Sequence, residues 1–193
     1  MKVTLTTAAL LAALFMLVGQ LPADEKAAST EQSVAQTLED KIKTNLEKLS
    51  EGERKEVETQ RYCPFMTTVR LGAKGTPIKI LVDDKPVYVC CKGCEKAALK
   101  DTAVALKKTE QIKVAVAAVA ELPAADQVLA EEQLFCAVAT SNRLGSMGTP
   151  LKVMIKDQPV FLCCKGCQGR ALSDPDKTLK ALAELKAKVN PKQ

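Results

Sequence analysis

Three hydrophobic patterns follow one another along the chain, and each predicts a different element. Residues 8–18 form an unbroken apolar run, with Lys2 before it and Gly19, Pro22 and Ala23 after it. That is the pattern of a secretory signal peptide over residues 1–23, and the run is too short to span a bilayer comfortably. Residues 24–30, charged at first and rich in small residues at the end, read as a flexible linker. Val34, Leu38, Ile42, Leu46 and Leu49 then recur at helical spacing among charged residues, which predicts an amphipathic helix over residues 31–49. Its apolar face is expected to pack on the segment that follows, with a coiled-coil dimer as the alternative. Farther on, Ile78, Ile80 and Val82 alternate with Lys79 and Leu81, "DDK" turns the chain and "PVYVC" returns, the pattern of a β-hairpin.

The second half of the chain repeats the first. A shift of 73 positions carries Cys63 onto Cys136 and Cys90 onto Cys163, and superimposes all 8 cysteines as pairs. "CPFMTTVRLGAKGTPIKILVDDKPVYVCCKGC" and "CAVATSNRLGSMGTPLKVMIKDQPVFLCCKGC" agree at roughly half of their positions, which marks a tandem repeat. Leu49, Glu58 and Gln60 extend the match upstream to Leu122, Glu131 and Gln133, and Leu99 and Leu106 extend it downstream to Leu172 and Leu179. The organisation read from this is a signal peptide (1–23), a linker with the amphipathic helix (24–48), and two cysteine modules (49–121 and 122–193). Within a module, Ser50 and Glu53 form a capping-box pattern before a short polar helix. A glycine-rich loop follows; it lacks the Gly-Lys-Ser/Thr ending of a phosphate-binding loop, so its glycines read as turn formers. After the hairpin, Gly93 permits a tight turn into a helix bearing Cys94. A further helix starts at Asp174-Pro175 in the second module and at Asp101-Thr102 in the first. The fold class expected is α+β, two small modules in tandem with an N-terminal amphipathic helix.

Composition narrows the chemistry. There is no histidine, so a Cys-His or Ser-His nucleophile is excluded, and no other pattern points to catalysis. Asp83-Asp84 is matched by Lys156-Asp157, as befits a turn and not a carboxylate pair. The net charge of +5 is dispersed along the chain, which argues against nucleic acid as a partner. Beyond the first 23 residues the aromatics are Tyr62, Phe65, Tyr88, Phe135 and Phe161, each within a few residues of a cysteine. The thiols are therefore expected in or beside the core of each module, and cores this small usually need a disulfide or a metal.

A hairpin, a cysteine-bearing turn and a helix form the geometry of small treble-clef-like metal sites. The candidate ligands are Cys63, Cys90, Cys91 and Cys94 in the first module and Cys136, Cys163, Cys164 and Cys167 in the second. The helix dipole, with Lys92 and Lys165 nearby, is expected to lower their pKa values. On Cys63-Pro64, "VYVCCKGCEKAAL" and Asp174-Pro175, the chain resembles the YHS and TRASH families of small metal-binding domains. The resemblance implies that an upstream cysteine and a Cys-x3-Cys pair bind a transition or heavy metal, which here means Cys63, Cys90 and Cys94, and Cys136, Cys163 and Cys167. A family cysteine is replaced by Met66 and by Ala139. Cys91 and Cys164 are candidates for the missing ligand; Met66 reads as core packing beside Phe65, or as a thioether ligand.

The function expected is that of an exported, non-enzymatic protein, periplasmic or secreted, holding Zn(II) or Cu(I); three-coordinate sulfur favours Cu(I). Its partners are the metal ion and a metal-transport or envelope protein that receives it, with no stable membrane span after signal cleavage. Two other readings remain open. An even number of cysteines in an exported chain is also the pattern of a disulfide scaffold for contacts at the cell envelope. Cys91-Lys92-Gly93-Cys94 and its copy also have the Cys-x-x-Cys form of a thiol redox site, although neither module has room for the βαβ units of a thioredoxin-like domain.

Overall fold

A computed structural model describes residues 37–189. The expected signal peptide, the linker and the start of the amphipathic helix lie outside the described residues. From residue 37 to 46 the chain is helical (α1), with Ile42 buried and Leu46 and Leu49 packed against the first core. α2 (Glu51–Gln60) begins at the predicted capping box: Ser50 accepts from the Glu53 backbone N–H, and the Glu53 carboxylate accepts from the Ser50 N–H. Two of the orphan donors at this helix start are satisfied in that way.

β1 (Ile78–Val82) and β2 (Lys85–Val89) pair antiparallel, with Ile80 opposite Val87. Asp83 and Asp84 between them both have positive φ, 49° and 60°, the two-residue turn whose twist matches the strands it joins. Alternation along β1 buries Ile80 and Val82 and exposes Lys79 and Leu81, whereas Val87, Tyr88 and Val89 of β2 are all buried. β2 is covered on both faces because α2 lies over Tyr88, whose hydroxyl donates to Glu56 at 2.6 Å. A two-stranded sheet still leaves the outer edge of β2 without a neighbour. The fully buried Gln60 takes that place: its Oε1 accepts from the Tyr88 N–H at 2.9 Å and its Nε2 donates to the Tyr88 carbonyl at 2.6 Å. A side-chain amide thus substitutes for a third strand and pairs both the N–H and the carbonyl of Tyr88.

α3 (Lys92–Lys100) follows the turn, and α4 (Thr102–Ala120) starts with Asp101 accepting from the Val104 N–H. The same order then recurs: α5 (Ala124–Gln133), β3 (Leu151–Ile155), β4 (Gln158–Leu162), a 3-10 turn (Lys165–Cys167), α6 (Gln168–Ser173) and α7 (Pro175–Val189). β3 and β4 keep the first hairpin's register at the shift of 73, with Val153 opposite Val160. Gln133 clamps Phe161 as Gln60 clamps Tyr88. The start of α7 is the predicted one, with Asp174 capping through the Lys177 N–H.

α4 serves both hairpins. Ala105 near its start belongs to the first core, and Val119 near its end packs against the second. Ala115 lies so close to Gly145 that a Cβ there would come within 2.2 Å of the Ala115 carbonyl oxygen. Ile42 of α1 covers Gly72 in the corresponding way, 73 positions earlier, so α1 stands to the first loop as the second half of α4 stands to the second. The described residues all fall within one compact unit. Among them no helix is long and apolar enough to cross a membrane.

Candidate metal centre

Each thiol is placed by local structure. Arg61 leaves α2 at φ 60°, and the Cys63 N–H then bonds the Val69 carbonyl at 3.1 Å, fixing a short loop that directs the Cys63 thiol inward. Cys90 ends the second strand. Cys91 follows in extended conformation as the N-cap of α3, and Cys94 lies in the first helical turn, back beside Cys90. The Cys90 and Cys94 sulfurs are 3.8 Å apart, and the sulfurs of Cys63, Cys90 and Cys94 all lie within 4.8 Å of one another. Cys136, Cys163 and Cys167 form a second triad within the same limit, with Cys163 and Cys167 again 3.8 Å apart. All six are buried, and all eight cysteines are free thiols.

These spacings suit an ion. Sulfur ligands bound at about 2.3 Å stand about 3.8 Å apart at the corners of a tetrahedron. Two groups of three cysteines could therefore hold a metal, each built from one residue of an upstream loop and a pair spanning a strand end and a helix start. Of the eight predicted ligands the structure brings six together in this way. Cys91 and Cys164 stand outside the triads, partly exposed at the surface, with the Cys164 sulfur 4.0 Å from that of Cys163.

The expected lowering of the thiol pKa values holds for some cysteines and fails for others. Burial pushes Cys90 and Cys94 up, and the Cys63 thiol beside them adds to the rise; Cys94 is pushed up to about 12. Burial likewise pushes Cys163 up to about 12 and raises Cys167. Desolvation exceeds the helix dipole because these sulfurs lie beneath the surface, while Lys92 and Lys165 are exposed. Cys91 is lowered, mainly by the Cys94 backbone N–H, and Cys164 is lowered because N–H donors, led by that of Cys167, outweigh burial. Cys136 is lowered although buried, since the backbone N–H groups of Ala139 and Cys163 outweigh its desolvation.

The surroundings of the two triads differ. Beside the first, the Cys90 thiol points at the Met66 sulfur, 3.7 Å away. Around the second, nitrogen donors approach sulfur: the Ala139 N–H at 3.4 Å from Cys136, the Asn142 amide at 3.9 Å from Cys163 and the Arg170 guanidinium at 3.8 Å from Cys167. Asn142 and Arg170 escape a reading of the sequence, because the equivalent positions are Val69 and Ala97 and nothing local marks them. Gln60 and Gln133 did carry a signal, an amide kept in register on a helix otherwise read as exposed. No family model, characterised protein or solved structure matches the chain, so the centre is read from its own geometry.

Proposed function

We propose that the protein is an exported, non-enzymatic metal-binding protein that holds a thiophilic ion, Zn(II) or Cu(I), in each thiol triad and buffers, scavenges or passes it on outside the cytoplasm. One observation carries this reading: in both halves a cysteine 27 positions upstream meets a Cys-x3-Cys pair in a buried triad at metal-ligand spacing. Three uncharged thiols gain little by converging so closely, whereas an ion bound to their deprotonated forms would tie loop, hairpin and helix together. Cys63, Cys90 and Cys94, and Cys136, Cys163 and Cys167, would be the ligands. The resemblance to YHS and TRASH domains supports the assignment through the same six residues. Export rests on the apolar pattern of residues 1–23, and a metal-transport or envelope protein is the natural recipient of the ion.

The test is native mass spectrometry of protein secreted by a cell and purified without chelator or reductant, combined with a thiol count. The expected result is a mass raised by one ion per triad with thiols unpaired, and loss of about one equivalent from each of Cys94→Ser and Cys167→Ser. A metal-free mass short by about two daltons per cysteine pair would make the halves disulfide scaffolds instead.

A further inference from the structure

The triads have equal sulfur counts but unequal neighbours. Met66 lies three residues after Cys63 in a loop pinned by its own hydrogen bonds, the Val69 N–H to the Met66 carbonyl at 2.8 Å and the Cys63 N–H to the Val69 carbonyl at 3.1 Å. Its side chain is half-buried against the first core, so its position is set by packing and not by a free rotor. The 3.7 Å from its sulfur to Cys90 nearly equals the 3.8 Å between Cys90 and Cys94, and both match the edge of a sulfur tetrahedron about an ion bound at about 2.3 Å. The second half has Ala139 at this place, and what approaches its triad there is a backbone N–H.

We propose that Met66 is the fourth ligand of the first triad and strengthens that site's preference for a soft monovalent ion, Cu(I), over Zn(II), beyond what three thiolates alone give the second triad. The inference rests on the metal-binding reading above. A thioether is soft and neutral: it completes the coordination of Cu(I) without adding charge to a buried site, and it is a poor partner for Zn(II), which takes thiolate, imidazole or carboxylate. With Met66 in place the first ion needs nothing from Cys91. That thiol is left partly exposed at the rim, where an incoming or departing ion would meet it first.

The experiment compares the full chain with Met66→Leu, which keeps the volume of the side chain. Cu(I) and Zn(II) are titrated separately against colorimetric chelators. The expected result is that one of the two Cu(I) equivalents weakens by about tenfold, with Zn(II) uptake unchanged. A second readout needs no change of ligand set. In selenomethionine-labelled, Cu(I)-loaded protein, absorption at the selenium edge should show copper as a neighbour of selenium, and Met66→Leu should abolish that signal. Superimposable Cu(I) titrations and no copper near selenium would reduce Met66 to packing and leave the metal-binding reading standing. Wild-type protein that takes up neither ion would overturn both.

Discussion

The two halves put three thiols at equivalent places and differ in what touches them. The first triad has a thioether at 3.7 Å from Cys90, whereas the second has an amide, a guanidinium and a backbone N–H aimed at its sulfurs. The geometry of a cysteine triad depends on hairpin, turn and helix, and these are retained in both copies. Its electrostatics depend on a few side chains of the surrounding loops, and these are free to diverge. Two sites of one shape can therefore differ in preferred ion and in the pH at which they load.

The comparison extends to the packing of the glycine loops, where the largest effect is expected. Gly145, at φ 87°, has the Ala115 carbonyl oxygen 2.2 Å from where a Cβ would stand, while around Gly72, at φ 94°, the nearest atom is the Ile42 Cγ2 at 3.1 Å. Gly145→Ala must push α4 off the second glycine loop and should cost about 4 kcal/mol or more. Gly72→Ala meets backbone strain and tight contacts with the Ile42 Cγ2 at 3.1 Å and its Cα and carbonyl oxygen at 3.2 Å, which need a shift of only a few tenths of an ångström, at about 1 to 2 kcal/mol. Urea unfolding measures both, and equal losses would show that α1 and α4 hold their loops with the same force.

Acid release of Zn(II) sharpens the contrast between the triads. Protons compete with the ion for thiolate, so the site whose thiols hold protons more weakly keeps its metal to lower pH. Cys90 and Cys94 are both raised by burial, whereas the second triad combines raised Cys163 and Cys167 with a lowered Cys136. As pH falls, the first triad should empty before the second. A chelating dye combined with the Cys94→Ser and Cys167→Ser variants would assign the two steps, and the reverse order would show that Met66 or the bound ion outweighs the protonation of the free thiols.

The smallest difference lies behind the hairpins. Tyr88 donates to Glu56, while the corresponding pair is Phe161 and Leu129, which cannot form such a bond. The Tyr88 hydroxyl, more than Lys79, holds the Glu56 carboxyl below its usual range. A depressed carboxylate contributes stability that is full above the unfolded value and fades as pH falls through the folded one. Tyr88→Phe should therefore cost less than about 1 kcal/mol at neutral pH, since Glu56 is well solvated, and nothing once the carboxylate is protonated. Unfolding curves at the two pH values would test this, and a loss that persists in acid would assign it to packing.

How much could be read in advance follows from the range of each interaction. The capping box at Ser50, the turn at Asp83-Asp84 and the helix start at Asp174-Pro175 involve residues no more than a few positions apart, and all were legible. The register of Gln60 with Gln133 was legible but its burial was not: it stands in a run of charged residues that reads as an exposed helix, and its clamp is on Tyr88, 28 residues away. The expected lowering of the thiol pKa values failed for the same reason at Cys90, Cys94, Cys163 and Cys167, the four that burial raises. Lys92 and Lys165 are neighbours in sequence, whereas the desolvation arises only when the hairpin, loop and helix close over the sulfurs.

The amino-acid sequence by itself determined the twofold repeat, the hairpins and helices and the register of eight cysteines, because these follow from local periodicity and from spacing along the chain. Only the tertiary structure decided which three thiols of each four converge, which are pushed up by burial, and that a methionine sulfur stands beside one triad and nitrogen donors beside the other. Those outcomes depend on distances and solvent exclusion between segments remote in sequence, and they come into being when the chain closes on itself.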